Sequence, residues 1–229
     1  DLYLEFLKIM RKILLGLFWL ILLLYAIATP QQFPTTQQSD FDLIIKMSTL
    51  QLSGVNPLLT AIFYTMGIFP IIYAALILFD DPEKQVSPYP FLVISLGLGA
   101  FALLPYFALR QPDTAWHGQK NTLQAVFDSR ILAIACSAVV VGLLVWGSTT
   151  GNWSDFWMQW QSSKFIHIMS IDFSILSFLF MTILNDDMQR RGVDSAILKA
   201  LSYLPLVGVL IYWCFRPQLP VSVDSTARA

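Results

Sequence analysis

The segment that decides the fold is Ser163-Lys-Phe-Ile-His-Ile-Met-Ser-Ile-Asp-Phe-Ser-Ile-Leu-Ser-Phe-Leu-Phe-Met-Thr-Ile-Leu184, an apolar run of membrane length that contains a histidine and a carboxylate. A helix rises 1.5 Å per residue, so His167 and Asp172 would lie about 6 and 13 Å along it from Ser163. Asp172 would then lie roughly midway through a hydrocarbon layer about 30 Å thick. An ionisable group at that depth costs at least about 2.5 kcal/mol on insertion scales, so it usually faces protein, water or a ligand. The sequence therefore predicts a membrane protein, with its best candidate site on this segment.

The composition supports a membrane protein and excludes one class of partner. Of the 229 residues, 56% are hydrophobic and only 13% are charged, about half the charged fraction of a soluble domain. The net charge is −1 and there is no basic block, so nucleic-acid binding has no electrostatic support. Cys136 and Cys214 are isolated in apolar runs, which indicates buried, inert thiols rather than a metal site or a disulfide framework.

The apolar runs predict an all-α, polytopic transmembrane helix bundle of five to six spans. They form one domain over residues 1–216, and a polar C-terminal tail follows at 217–229. Asn56 before Pro57 predicts one helix start, and Ser162 or Ser163 predicts another. The six predicted spans lie at about 13–29, 57–79, 89–109, 131–149, 164–184 and 200–215, of which the last is short.

Two further features concern organisation. Residues 41–52 carry apolar side chains near helical spacing, which predicts a short helix at the membrane surface. No internal repeat is convincing, so the repeat that many secondary transporters carry is not indicated.

The basic residues do not agree on one orientation of the chain in the membrane. They are concentrated in the loops after the third and fifth predicted spans, which favours the cytoplasmic or stromal side for those loops. Lys8, Arg11 and Lys12 conflict with this, because six crossings put the N-terminus on the opposite face. Either the first segment does not fully span, or the rest of the chain overrides the N-terminal charges.

Helical geometry separates the polar residues of the fifth predicted span. At 100° per residue, the arc of about 80° that contains His167 also contains three serines, whereas Asp172 points about 140° away from His167. The two side chains are therefore not expected to form a catalytic dyad. The serines are Ser170, Ser174 and Ser177.

Structural and functional interpretations of this helix both remain open. In the structural one, the serines allow close helix packing, and His167 and Asp172 hydrogen-bond to neighbouring helices. In the functional one, His167 is a pigment ligand or Asp172 takes part in a proton-coupled step. Because no other predicted span has an arginine or lysine at matching depth, Asp172 is expected to be protonated or bonded to neutral donors.

The remaining polar motifs favour structural roles. His117 lies in a loop and is a solvated surface histidine or a pigment or partner contact. The run from Asn185 to Gly192 is interpreted as a solvated helix end, whose arginines complement the helix dipole. Asp186 and Asp187 make a poor metal pair, since adjacent carboxylates point in different directions on a helix. The chain has no nucleophile elbow, phosphate loop or His-x-x-x-His helix, so no enzyme is predicted.

Three pieces of the chain resemble a known family, at residues 90–110, 165–172 and 185–191. They are similar to an uncharacterised family of multi-span proteins from cyanobacteria and chloroplasts, in which a Ser-x-Asp-Phe helix ends in an Asn-Asp-Met-like turn. The resemblance implies an integral membrane protein of a thylakoid or related photosynthetic membrane. It implies no particular reaction.

The leading functional hypothesis is an accessory or assembly subunit of a photosystem-type complex, in contact with membrane lipid and with other membrane subunits. Chlorophyll a or carotenoid could lie against its aromatic faces, with His167 and His117 as the candidate cofactor-binding residues. The alternative is a small proton-coupled transporter or channel that uses Asp172 and His167. A membrane enzyme acting on lipid or quinone has least support.

Overall fold

The computed structural model describes residues 2–29, 39–80, 86–116 and 120–220, and all regular secondary structure within these ranges is helical. The chain divides into two compact units. Unit 1 contains Asp1–Pro70, Tyr89–Arg110 and Val139–Leu176. Unit 2 contains Ile71–Pro88, Gln111–Ala138 and Ser177–Ala229. The predicted tail lies outside the described residues from position 221 onward.

The described ranges contain twelve helices. They are α1 (Leu2–Ala28), α2 (Asp40–Ser48), α3 (Pro57–Ile77), α4 (Tyr89–Leu98), α5 (Ala100–Leu109), α6 (Thr122–Phe127), α7 (Arg130–Thr150), α8 (Trp153–Ser162), α9 (Lys164–Leu179), α10 (Met181–Arg190), α11 (Ala196–Leu201) and α12 (Val207–Phe215).

Four helical stretches in the described part of the chain are long and apolar enough to cross a membrane. They are Ile9–Ala28, Pro57–Ile77, Arg130–Thr150 and Lys164–Arg190, the last combining α9 and α10. The predicted helical bundle with membrane-length helices is thus confirmed. The count of about six spans is not confirmed.

The predicted span at 89–109 forms a helical hairpin instead. The helices α4 and α5 have ten residues each, so each is about 15 Å long, half the thickness of the hydrocarbon layer. They are joined by Gly99 at φ 49°, a conformation that glycine adopts without strain. The rings of Phe91 and Tyr106 lie 5.5 Å apart, which requires the chain to reverse. The single-span prediction was wrong because average hydropathy does not show where a chain turns back.

Helix α5 packs along α1 within unit 1. The Trp19 indole N–H donates to the carbonyl of Phe101 at 2.9 Å. That carbonyl has no helical donor four residues later, because Pro105 lacks an N–H. Arg11 donates to the carbonyls of Phe107 and Arg110 at the other end of α5, each at 3.3 Å.

The predicted span at 200–215 is replaced by a second reversal, within unit 2. The Leu206 N–H donates to the carbonyl of Ser177 at 3.3 Å, and Ser177 is halfway along Lys164–Arg190. The chain then returns in α12, and Arg216 meets Asp187 at 2.9 Å. A Cβ on Gly208 would come within 2.1 Å of the Leu201 carbonyl, so only glycine fits this turn.

The order of element lengths recurs along the chain, although no internal repeat was predicted from the sequence. A long helix, a short helix, a membrane-length helix and a hairpin of short helices occur as α1–α5 and again as α7–α12. The two hairpins end alike, in Leu104-Pro-Tyr-Phe-Ala-Leu-Arg110 and Leu210-Ile-Tyr-Trp-Cys-Phe-Arg216. The arginine is the C-cap in both. The two segments share few identical residues and lie far apart in the chain, so their similarity is not evident from the sequence.

Several helix starts agree with their sequence predictions. The short helix predicted within residues 41–52 is α2, with Ser39 as its N-cap. The Asn56 side chain accepts from the Leu58 N–H at 3.1 Å, and the Ser163 hydroxyl accepts from the Ile166 N–H at 3.1 Å. A core cluster of unit 1 is formed by Leu43, Met47, Leu59, Ile166 and Met169.

Candidate functional site

Asp172 on α9 holds the tip of the α4–α5 hairpin. The carboxylate is buried, 4% exposed, and its Oδ1 accepts from the Ala100 N–H at 2.7 Å. A Cβ on Gly99 would lie 1.7 Å from Oδ2, so glycine is required both for the turn and for the approach of the carboxylate. Asp172 therefore caps the N-terminus of α5, where the helix dipole favours negative charge.

The same carboxylate lines a large apolar cavity. Oδ2 has no hydrogen-bond partner in the described part of the chain, and the cavity that Asp172 lines has a volume of about 570 Å³. Ligand pockets typically have volumes of about 300–1,000 Å³. Aromatic rings from α3, α5 and α9 contribute to the walls, namely Phe63, Tyr64, Phe101 and Phe165. A buried polar atom thus faces a space that can hold a small organic molecule.

The polar groups elsewhere in the cavity wall are mostly engaged. The Asp40 carboxylate accepts from the Ser163 hydroxyl at 2.6 Å and from the Phe165 N–H at 3.1 Å, which fastens α2 to the start of α9. The Tyr64 hydroxyl donates to the Met47 carbonyl at 2.6 Å. Lys164 also lines the cavity, one helical residue after Ser163. Asp172 is therefore the carboxylate of this cavity with the fewest protein partners.

His167 lies among different neighbours from those of Asp172. Its Nε2 is 2.6 Å from the Tyr25 hydroxyl and its Nδ1 is 3.2 Å from the Trp160 carbonyl. The Trp160 ring lies over the imidazole, with 4.2 Å between centroids. Both ring nitrogens are thus engaged, so a pigment metal would have to displace one of these contacts. The role of His167 as a ligand stays a prediction.

The serine stripe mainly bonds to its own helix. The Ser170 hydroxyl donates to the Ile166 carbonyl at 2.7 Å, and the Ser174 hydroxyl donates to the Ser170 carbonyl at 2.9 Å. Ser177 is buried and offers its carbonyl to Leu206. The hydroxyls of Ser170 and Ser174 thus bond within their own helix, and Ser174 is exposed. The other predicted cofactor residue, His117, lies outside the described residues.

A second set of buried polar groups lies in unit 2, around Asp187. Its Oδ2 accepts from the Tyr212 hydroxyl at 2.8 Å, from Arg191 Nε at 2.9 Å and from Arg216 at 2.9 Å. Its Oδ1 accepts from Arg190 at 3.4 Å. The run 185–192 is therefore not the solvated helix end that was expected. Its arginines and Asp187 form a buried, mutually neutralising cluster.

Asp128 extends this cluster. It forms salt bridges with Lys120 and Arg191, both at 2.7 Å, and accepts from the Leu219 N–H at 2.9 Å. Arg190 also pairs with Asp80. Sequence analysis missed the participation of Asp128 and Arg216, although an arginine directly after an apolar helix was a usable indication for Arg216.

Comparisons with known proteins and a search for metal sites give no assignment. Over the part of the chain that the structure describes, no three His, Cys, Asp or Glu side chains are grouped so that they could hold a metal ion. No protein-family model, no curated protein and no solved structure matches the chain. Arguments about function therefore rest on the geometry of the cavity and of the buried charges.

Proposed function

We propose that this protein is a small proton-coupled membrane transporter in which Asp172 binds both the proton and the solute. The observation that carries the proposal is the Asp172 carboxylate itself. It is buried about a third of the way along the membrane-length stretch Lys164–Arg190, accepts one hydrogen bond within the described part of the chain and lines a cavity of about 570 Å³.

The chemistry of Asp172 suits proton exchange. Burial in an apolar cavity disfavours a charged carboxylate, whereas the Ala100 N–H and the N-terminus of α5 favour it. A group held between opposing effects of this kind can change its charge when a solute arrives or leaves. A carboxylate surrounded by arginines, such as Asp187, cannot do so readily.

The architecture also supports transport. Repeated sets of elements and interrupted helices with their ends near the bilayer midplane are common in secondary transporters. Here the elements repeat, and Gly99 and Leu206 lie at the turns of the two hairpins. The turn at Gly99 contacts the proposed solute site through Asp172.

The proposed topology has four crossings, with each hairpin returning to the side from which it enters. On this topology Lys46 and Lys164 lie on one side, and the N-terminal basic residues join most others on the opposite side, which the positive-inside rule makes cytoplasmic. The conflict that six crossings created for Lys8, Arg11 and Lys12 then disappears. The residues on the proposed cytoplasmic side include Lys8, Arg11, Lys12, Arg110, Lys120, Arg130, Arg190, Arg191, Lys199 and Arg216.

Solute-driven proton movement in proteoliposomes tests the function. A pH-sensitive dye is enclosed, and cationic, neutral and anionic small solutes are added in turn. At least one solute should move protons, and Asp172→Asn should abolish the signal while Asp42→Asn, an exposed carboxylate on α2, should leave it unchanged. Proton movement that persists in Asp172→Asn, or its absence with every solute, would contradict the proposal.

A second proposal is the accessory subunit of a photosynthetic complex, with a carotenoid or chlorophyll as the occupant of the cavity. The four aromatic side chains of the cavity wall favour it, since flat apolar molecules pack well on aromatic rings. An absorption spectrum of the protein purified in mild detergent from a photosynthetic membrane, with the identity of its co-migrating subunits, tests it. A colourless protein that never co-migrates with a photosystem would count against it.

A further inference from the structure

We infer that the cavity of unit 1 binds a lipophilic organic cation, with its positive charge at Asp172 and its apolar body against the aromatic wall. This inference rests on the proposed function and names the class of its solute. It depends on the charges around the cavity, on its apolar walls and on its size.

The carboxylate is the first feature that selects a cation. Oδ1 is occupied by the Ala100 N–H, whereas Oδ2 has no partner in the described ranges. A carboxylate oxygen that is removed from water gains most from a positively charged partner. The side chain is only 4% exposed, so a solute that reaches Oδ2 must do so through the cavity.

The backbone at the tip of the α4–α5 hairpin also favours a cation. The last residues of α4, Leu96, Gly97 and Leu98, line the cavity, and the C-terminal end of a helix carries partial negative charge. The positive N-terminal end of α5 is already matched by Asp172. The net field at the tip therefore favours a cation over an anion.

Helix α3 contributes a residue with an unusual carbonyl to the wall. Pro70 lies inside α3 and has no N–H to donate to the carbonyl of Met66, four residues earlier. Met66 is part of the cavity wall. A residue of the wall thus has a carbonyl that lacks its usual helical donor.

The walls favour an organic cation over a metal ion. The rings of Phe63, Phe101 and Phe165 line the cavity, and the face of an aromatic ring attracts a cation. An alkali-metal ion would need several oxygen ligands close together, whereas a volume of about 570 Å³ with one carboxylate at its tip leaves most of the space to apolar surface. Apolar groups shield the charge of a bulky organic cation, so water hydrates it only weakly. Such an ion loses little hydration when it enters this space.

The other titratable groups of the cavity do not reverse this preference. Asp40 lines it and carries negative charge, although its oxygens are held by Ser163 and Phe165. The Tyr64 hydroxyl is engaged by Met47. Lys164 is the positive group of the lining, about 12 Å along α9 from Asp172. It is therefore expected to slow or weaken cation binding and not to select the ligand at Asp172.

Two ions of almost equal shape and opposite charge provide the test. Binding of tetraphenylphosphonium and of tetraphenylborate to the purified full-length protein is measured by equilibrium dialysis in detergent. Tetraphenylphosphonium should bind at least about tenfold more tightly than tetraphenylborate, since tenfold corresponds to about 1.4 kcal/mol. Equal binding, or tighter binding of tetraphenylborate, overturns the inference, and this comparison requires no variant.

Two variants then test whether the cation binds at Asp172. Asp172→Asn keeps an oxygen for the Ala100 N–H and should weaken tetraphenylphosphonium binding about tenfold or more, whereas Asp42→Asn should not change it. Undiminished binding in Asp172→Asn, with an unchanged elution profile, would overturn the site. Displacement of tetraphenylphosphonium by sodium at equal concentration would favour an inorganic ion and also contradict the inference.

These experiments distinguish failure of the cation site from failure of the proposed transport function. Asp172-dependent binding of tetraphenylphosphonium without proton movement in proteoliposomes would retain the cation site and reject transport. Asp172-dependent proton movement driven by an anionic or neutral solute, without tetraphenylphosphonium binding, would retain transport and reject the cation. Binding accompanied by proton release in weakly buffered solution supports both.

Discussion

Two buried carboxylates on the same membrane-length helix have opposite surroundings. Asp187 receives hydrogen bonds from three arginines and a tyrosine, whereas Asp172 receives one from the Ala100 amide and lines a cavity. Removing one partner from such a set leaves an uncompensated buried charge and destabilises the folded state. A carboxylate with a vacant oxygen beside a cavity can bind a ligand. We therefore propose that the unit 2 cluster stabilises the fold and that the unit 1 cavity binds the ligand.

The largest expected effect is on the structural side of this comparison. Asp187→Asn removes the negative charge that faces Arg190, Arg191 and Arg216, and it should lower the free energy of unfolding by about 3–5 kcal/mol, because breaking a buried ion pair leaves uncompensated charge. Thermal unfolding in detergent measures this. The control is Asp194→Asn, whose carboxylate is exposed and pairs with exposed Lys199, and no measurable change is expected there. If both variants unfold together, the unit 2 cluster is not a stabilising element.

The next effect tests the hairpin tip. Gly99→Ala should destabilise the protein by roughly 1–3 kcal/mol, because alanine is strained at positive φ and its Cβ would overlap the Asp172 carboxylate. Gly97→Ala is the matched control, since nothing lies within 4 Å of its added Cβ. The difference in unfolding midpoint between these two variants is the measurement. A smaller loss at position 99 than at position 97 would contradict the described tip.

A smaller effect is expected at His167. Tyr25→Phe removes the hydroxyl that lies 2.6 Å from Nε2 and should cost about 1 kcal/mol, the usual net value of a hydrogen bond. Tyr203→Phe, at an exposed ring, should have no measurable effect on the unfolding midpoint. If a pigment metal binds His167 instead of the tyrosine, Tyr25→Phe will leave stability unchanged, and the absorption spectrum will report the pigment.

The smallest effect on stability is expected at Asp172. Asp172→Asn retains the acceptor for Ala100, and it places no unpaired charge in the cavity, so the free energy of unfolding should change by less than about 0.5 kcal/mol. Thermal unfolding of Asp172→Asn and of Asp187→Asn in the same detergent compares the contributions of the two carboxylates to stability. A loss at Asp172 as large as the loss at Asp187 would show that both carboxylates are structural.

Part of the candidate site was predictable from residue positions alone. The depth of Asp172 follows from helical rise, and its separation from His167 follows from the 100° turn per residue. The partners of Asp172 were not predictable, since Ala100 is 72 residues away in the chain. The same holds for Arg216 and Asp187, which are 29 residues apart and meet through the reversal near Leu206.

The sequence by itself located the four membrane-length helices and where several of them begin, as at Asn56 and Ser163, although it predicted two further spans. These features depend on composition and on contacts between near neighbours. Only the tertiary structure decided that the segments 89–109 and 200–215 turn back, and that Asp187 is neutralised while Asp172 lines a cavity. Hydropathy reports the polarity of a segment, whereas the direction of the chain and the pairing of buried charges depend on contacts between residues far apart in the sequence.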